Sequence, residues 1–544
     1  MRAALRRHAG LVAFLALLAP LVVAFCWHGV LAAVGDDSMS YVVLARHLSP
    51  LSTDARVEPW VRFYTHFPPL FPALLALTGG AWSFFTAHMV VGACALLGAA
   101  MVYAYGAERL GSVRAGIALA VVFVSMPTAW VSITGILSEP LYLALSLAAL
   151  AWHAGHERDP SLRDALVLSL LVAASCLTRV AAVALLAAYA VHLSVRAISR
   201  REWPPARSFL PLVLPIACQL AWLELRPPLP ADSRGYQIDL LSIVAHWLQD
   251  PMGSVAASWT VLSGGWVASF TADSVEPLPL RILLGAIGAL GLAGAVRGAM
   301  RNRLDSWYVL ASGAMLFIWI FAEDNQRRLM YPVVPLVLSH AAEALRALVE
   351  RIRAERAGLA ISAGAFVVVV LCLPAMLLVA RKSLDRAPLV PGFEYSPSAM
   401  TRYYSTVNVG RAMALAREDA AVLAGFESIE RETPAGSRVM WMRPEYVAVL
   451  GKREAVPWYY RWTRAEFAKQ VHRTGTGYVV ASWIFKTDLV NDLGDGYHAI
   501  TANTPGYLHV ASVIPGPDPA SPLFAIYKVD TGELERVLAK GSGF

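Results

Sequence analysis

Charge is scarce in this chain, and so are lysine and cysteine. Asp, Glu, Lys and Arg make up 16% of the 544 residues, against about 25% in a typical soluble domain. Hydrophobic residues reach 57% without counting glycine. That balance excludes a disordered chain and a single soluble enzyme, because the apolar surplus has to face lipid. Lysine is missing until Lys382; the others are Lys452, Lys469, Lys486, Lys528 and Lys540. An ATPase of the Walker A type is thereby excluded, since its phosphate-cradling lysine has no candidate near a Gly-rich loop in the apolar part. The five cysteines, Cys26, Cys94, Cys176, Cys218 and Cys372, each sit inside an apolar run with no CxxC spacing. They read as small buried hydrophobes rather than a disulfide framework or a zinc site. The net charge of +7 does not mark a nucleic-acid binder, because the basic residues fall in short clusters between apolar runs instead of along one face.

What the chain has in abundance is apolar runs near the length of ~20 residues that crosses a bilayer. About eleven spans are expected, at 11–34, 82–106, 115–134, 139–154, 164–178, 180–195, 208–225, 280–296, 306–322, 329–345 and 358–380. The first is too long for a cleaved signal peptide, which needs only ~7–15 apolar residues, so it reads as a retained helix. Arginine placement sets the orientation. With the N-terminus in the cytoplasm, the loops on that side hold Arg2, Arg6 and Arg7; Arg109 and Arg114; Arg158 and Arg163; Arg196, Arg200, Arg201 and Arg207; Arg297, Arg301 and Arg303; and Arg346, Arg351, Arg353 and Arg356. The odd count of spans then puts residues 381–544 outside. This part is richer in charge and reads as an α/β domain, with a helix at 411–432 and strands at 438–442, 477–482 and 524–529. The expected organisation is thus a transmembrane part, 1–380, with long external loops at about 35–81 and 226–279, followed by an extracytoplasmic α/β domain.

The polar residues on the external side carry the chemistry. Asp36 and Asp37 open the first external loop, just before Tyr41, Leu44, Ala45 and Leu48, whose spacing predicts a helix lying on the membrane surface. One aspartate would suffice as a helix cap. Two adjacent carboxylates at an interface repel each other unless a partner or metal offsets them, and a base on a rigid helix end needs such a place. His66, in the aromatic and Pro-rich run Tyr64–Pro72, reads either as part of an interfacial anchor or as a metal or substrate contact. Glu139, followed by Pro140, suits a helix start and equally the rim of a cavity. Arg179, Arg327 and Arg328 lie on the side the positive-inside trend leaves poor in cations. Salt bridging to Glu323 or Asp324 and snorkelling are open readings; so is a pocket for a lipid phosphate, which guanidinium binds with paired donors.

Together these motifs resemble the GT-C superfamily of polytopic glycosyltransferases, in particular the bacterial relatives of protein mannosyltransferases and the aminoarabinose transferases. The resemblance rests on Asp37-Ser-Met-Ser-Tyr41 with Asp36 before it, Pro68-Pro69-Leu70, Glu139-Pro140, Thr178-Arg179, and Arg328 ahead of Tyr331-Pro332. His66-Phe67 stands where the aminoarabinose transferases have Glu-Lys. The resemblance implies an enzyme of a bacterial inner (plasma) membrane that transfers a hexosyl or pentosyl unit from a polyprenyl-phosphate-linked sugar to a glycan, lipid or protein acceptor, with inversion. It implies Asp37 as base with Asp36 beside it, Arg179, Arg327 and Arg328 on the donor phosphate, and Tyr41, His66 and Glu139 in the substrate cavity. It fixes no cofactor and leaves open a divalent ion near Asp36, Asp37 or His66. The rival readings are a lipid or sugar transporter or flippase, which would favour an internal repeat and mid-membrane charges, and a silent relative in envelope assembly.

Topology is directly testable. Single cysteines introduced at Ser383 and at Ser199 are expected to label from opposite sides of the membrane; labelling of both from one side would remove the basis of the functional reading.

Overall fold

The computed structural model describes residues 8–27, 29, 37–157, 160–228, 236–271, 278–319, 323–353, 357–384, 409–458, 462–482, 504–516 and 522–540. The chain is an α-helical polytopic membrane protein with a small C-terminal α/β region. Six described helices are long and apolar enough to cross a membrane: Ala9–Cys26, Phe84–Arg109, Val180–Arg200, Ala206–Leu225, Leu278–Ala299 and Gly358–Arg381. The other expected spans are helical too, as Glu139–His156, Leu162–Thr178, Leu304–Ile318 and Val334–Arg353, with one exception. The run at 115–134 is broken into Val113–Val124 and a short turn, Pro127–Val131. Pro127 drives Met126 out of helical geometry, to ψ 133°, because its ring collides with a preceding residue in the α conformation.

Close helix packing follows from small residues. Along Leu278–Ala299, a Cβ at Gly291 would stand 2.6 Å from the Val337 carbonyl oxygen, and one at Gly294 would collide with the His340 carbonyl. Only glycine lets this helix approach the backbone of Val334–Arg353, the usual device where lipid offers no hydrophobic drive between helices.

Two expectations about the loops change. Residues 226–279 are largely helical, as Tyr236–Gln249 and Pro251–Thr271. The second packs Trp266 and Phe270 into the bundle. The helix Ser38–Leu48 does not lie on a surface with one face open. Nine consecutive residues, Ser38 to Arg46, are buried, because protein covers the helix all round.

Part of that cover is the C-terminal region. It has a helix, Val409–Glu432, and a five-stranded sheet of β1 (Arg438–Trp441), β2 (Glu454–Pro457), β3 (Tyr478–Ser482), β4 (Leu508–Ile514) and β5 (Phe524–Val529). The order is β2-β1-β3-β5-β4; β1 runs parallel to β2 and β3, and β5 antiparallel to β3 and β4. Phe426, Trp441 and Phe524 form its aromatic centre, with ring centroids 4.5 and 5.0 Å from Phe426. This core is continuous with Met39, Val42, Phe71 and Leu75 of the first loop. The helix Pro444–Val449 that follows β1 therefore sits against Ser38–Leu48, which brings the C-terminal end of β1 toward the start of the first loop.

Candidate active site

Three separate stretches of the chain deliver charge to one place. Asp37 ends the approach to Ser38–Leu48, Glu139 is the first residue of Glu139–His156, and Arg328 lies in Glu323–Met330. Arg328 bridges the two acids. Its Nη2 donates to Asp37 Oδ2 at 2.9 Å and its Nε to Glu139 Oε1 at 2.9 Å. Arg179, where Leu162–Thr178 ends, places Nη1 2.9 Å from Glu139 Oε2 and donates to Ser138 Oγ at 3.2 Å. Tyr41 closes the ring through Ser138 Oγ at 2.8 Å, and Ser38 Oγ accepts from the Ile136 amide at 3.0 Å. The Ser138-Glu139-Pro140 turn is thus pinned to the first loop from both sides.

These contacts decide between the readings the sequence left open. Asp37 occupies the cap position but makes no side-chain cap hydrogen bond; its carboxylate goes to Arg328. Glu139, only 1% exposed, is held by two guanidiniums rather than spent on its own helix end. Burial opposes ionisation of Asp37, yet Arg328, then Arg179 and Arg443, outweigh it and keep the carboxyl below its ordinary value. The stability this charge gives is present above the usual carboxylate pKa of ~3.9 and fades only as pH falls through the lowered value.

The other candidates fall into place around this cluster. Arg327 is buried, while the ion pairs found at Asp37 and Glu139 are those of Arg328 and Arg179. His66 shares its Nδ1 with the Phe63 carbonyl at 2.9 Å and stacks on Phe67 at 4.3 Å; Phe67 in turn packs against Tyr41 at 5.1 Å. His66 is thus one ring removed from the cluster. Asp36 lies outside the described residues, as does the structure of the stretch before it. Among the described residues the Asp37 carboxylate faces Arg328, with two further guanidiniums close by, so its charge is already offset without a divalent ion.

One member was not visible in the sequence. Arg443, in the connection between β1 and Pro444–Val449, is near enough to Asp37 to help hold it ionised. Its Nε lies 2.5 Å from Glu445 Oε1, and Glu445 is fully buried. Tyr64 of the first loop faces the same carboxylate, and burial followed by that charge pushes its phenol well above the usual value. The signal available was only Arg-Pro-Glu after a short strand, which nothing in the sequence links to residue 37.

The cluster makes a stability prediction. Glu139→Gln leaves two guanidiniums without their shared carboxylate, and breaking a buried pair costs on the order of 3–5 kcal/mol. Asp37, whose side chain is 37% exposed, should cost ~1 kcal/mol or less when changed to Asn. Thermal unfolding in detergent should therefore fall far more for Glu139→Gln; equal shifts would mean that Arg328 and Arg179 are satisfied elsewhere.

No family model matches the chain, and no curated protein matches it by sequence. Solved structures do. The aminoarabinose transferase ArnT from Cupriavidus metallidurans in the apo state is 14% identical, with a TM-score of 0.50 over 95% of this chain and 98% of that one. The same enzyme bound to undecaprenyl phosphate gives 14% and 0.48 over the same shares. The oligosaccharyltransferase AglB from Archaeoglobus fulgidus, in complex with an inhibitory peptide and a dolichol-phosphate, gives 12% and 0.47 over 89% and 71%. Bundle, first loop and C-terminal region together thus share the fold of apo ArnT.

Proposed function

We propose that this protein is a membrane glycosyltransferase that moves a sugar from a polyprenyl-phosphate donor to an acceptor hydroxyl on the external side of the membrane. The observation that carries the reading is the pair Asp37 and Glu139 bridged by Arg328, with Arg179 completing the square. The leaving group of such a donor is a lipid phosphate, stable as an anion, so the reaction needs charge stabilisation rather than a strong acid. Arg179 and Arg328 supply paired donors for it. Asp37 accepts the proton of the acceptor hydroxyl, whose oxygen attacks the anomeric carbon. The bond from that carbon to the phosphate oxygen breaks on the opposite face, giving one displacement with inversion. No water is activated, unlike the divided carboxylate work of an inverting glycosidase.

The arginines explain how one carboxylate serves two states. With Arg328 bound, Asp37 is a weak base, and a base works best with a pKa near the operating pH. A donor phosphate competes for Arg328 and Arg179. Each guanidinium it draws away loosens the hold on Asp37 and raises its basicity at the moment an acceptor is to be deprotonated. Glu139 keeps its hold on the arginines and fixes them in position. Tyr41, bonded to Ser138, and His66, one ring further out, are the side chains beside the cluster that would contact the substrates. The external side, the position of residues 381–544 there and the hexosyl or pentosyl nature of the sugar belong to this proposal, on the arginine asymmetry and the motif resemblance.

Sugar transfer by the purified protein tests it. Asp37→Asn should lower transfer by at least ~10²-fold while donor binding is largely kept. Arg179→Ala and Arg328→Ala should weaken binding of a polyprenyl phosphate roughly ten- to a hundredfold, the equivalent of ~1.5–3 kcal/mol for a hydrogen bond to a charged group. Full transfer by Asp37→Asn would move the base elsewhere, and unchanged donor affinity in both arginine variants would make the square purely structural.

A further inference from the structure

The helix that begins with Glu139 carries a second polar group at its far end. His153 and Glu157 are four residues apart, so both project from one face of Glu139–His156 and its cap. His192, on Val183–Arg200, meets them. The donor atoms of His153, Glu157 and His192 all lie within 4.8 Å of one another, and the two imidazoles stand edge to face at 4.9 Å.

The chemistry of His192 is fixed by its other nitrogen. Its Nδ1 lies 2.7 Å from the Asn302 carbonyl oxygen, which can only accept, so Nδ1 carries the proton and Nε2 presents a lone pair. Asn302 is itself clamped: its side-chain amide donates to the His192 carbonyl at 3.0 Å and its Oδ1 accepts from Trp307 at 3.0 Å. A histidine whose remote N–H is held by a carbonyl is the arrangement that orients metal ligands. His192 is 1% exposed, and neither its Nε2 nor the buried Nε2 of His153 has a hydrogen-bond partner. Two buried imidazole nitrogens left without partners this close together are costly unless something binds them. Between them is a cavity of about 20 Å³, lined also by Asp164 and Arg196, which suffices for one water-sized guest at ~10–15 Å³.

We infer that His153, His192 and Glu157 form a binding site for a divalent transition-metal ion of the zinc type. Two neutral imidazoles and one carboxylate are a borderline-soft set that suits Zn²⁺ and Co²⁺ and disfavours Ca²⁺ or Mg²⁺. An ion ~2.1 Å from each donor spreads tetrahedral ligands ~3.4 Å apart. Glu157, exposed at the helix end, supplies the movement that closes the set. A water in the cavity would complete four-coordination.

The test uses the full-length, untagged protein in detergent, stripped with a chelator and titrated with Zn²⁺ against a competing indicator. One equivalent of Zn²⁺ should bind tightly, and Co²⁺ should give the intense visible bands of a tetrahedral site. His192→Gln and Glu157→Gln should weaken this equivalent at least tenfold, and His66→Gln should leave it unchanged. Glu157 is exposed, so its variant reports on the ion without disturbing the fold. Absence of a stoichiometric ion in the wild type, or the same affinity in both His192→Gln and Glu157→Gln, would overturn the site.

Discussion

Arg328 is the residue on which this end of the bundle depends. Two carboxylates from distant parts of the sequence meet there, at a boundary where an unpaired charge is expensive. One guanidinium satisfies both, at 2.8–2.9 Å, and Arg179 takes the remaining oxygen of Glu139. The planar fork matters, because a lysine ammonium has no fixed pair of donors to span two acids. Since Asp37 precedes Ser38–Leu48 and Glu139 begins its own helix, the bridge also fixes the angle at which the first loop meets the bundle. The bridge is neutral, two acids against two cations, so no net charge is left at this boundary.

The C-terminal region reinforces the same point from above. Its core is not separate: Trp441 and Tyr446 share a continuous apolar cluster with Val42 and Phe71. That shared core is the reason Ser38–Leu48 is enclosed, and it carries Arg443 toward Asp37. Glu445 neutralises Arg443 at short range, which lets a third guanidinium stand near the square without expelling the others. A region joined to the rest only by a tether could not hold a charge at such a place, because the desolvation of Arg443 and Glu445 has to be offset by packing that persists.

Much of this was legible in the sequence. Long apolar runs gave the helices, since a membrane span is set by length and composition alone. The strands at 438, 478 and 524 were legible as short buried or alternating runs, whereas Glu454–Pro457 has four residues ending in proline and Leu508–Ile514 is exposed along much of its length. Asp37, Glu139, Arg179 and Arg328 stood out because charge at the ends of apolar runs needs a reason. What the sequence could not say is which of them pair. The apolar stripe of residues 41–48 is equally suited to lipid and to protein, and only the position of the sheet decides. Arg443 was hidden for the same reason: its role depends on a contact across some four hundred positions, for which one sequence holds no local trace.

The two polar ends of the bundle are mechanically linked. Glu139–His156 is a single rod, and at 1.5 Å per residue Glu139 and His153 lie roughly 21 Å apart along it. About one turn in from Glu139, the Tyr142 hydroxyl meets that of Tyr308 at 2.7 Å. Tyr308 belongs to Leu304–Ile318, whose preceding residue pair, Asn302 and Arg303, holds His192 on one side and Glu343 on the other, at 2.6 Å. Asp305 at that helix start takes Arg109 at 2.9 Å and the Tyr105 hydroxyl at 2.8 Å. The Glu139 end is tied by the Arg328 and Arg179 pairs and the far end by Trp152, whose Nε1 donates to the Asp164 carbonyl of the next helix at 3.2 Å; the apolar stretch between needs only to fill space. Sliding the rod by one residue would rotate it by about 100° and break contacts at both ends together. The position of Glu139 beneath Arg328 is for that reason set by the whole length of its helix and not by the external loop alone.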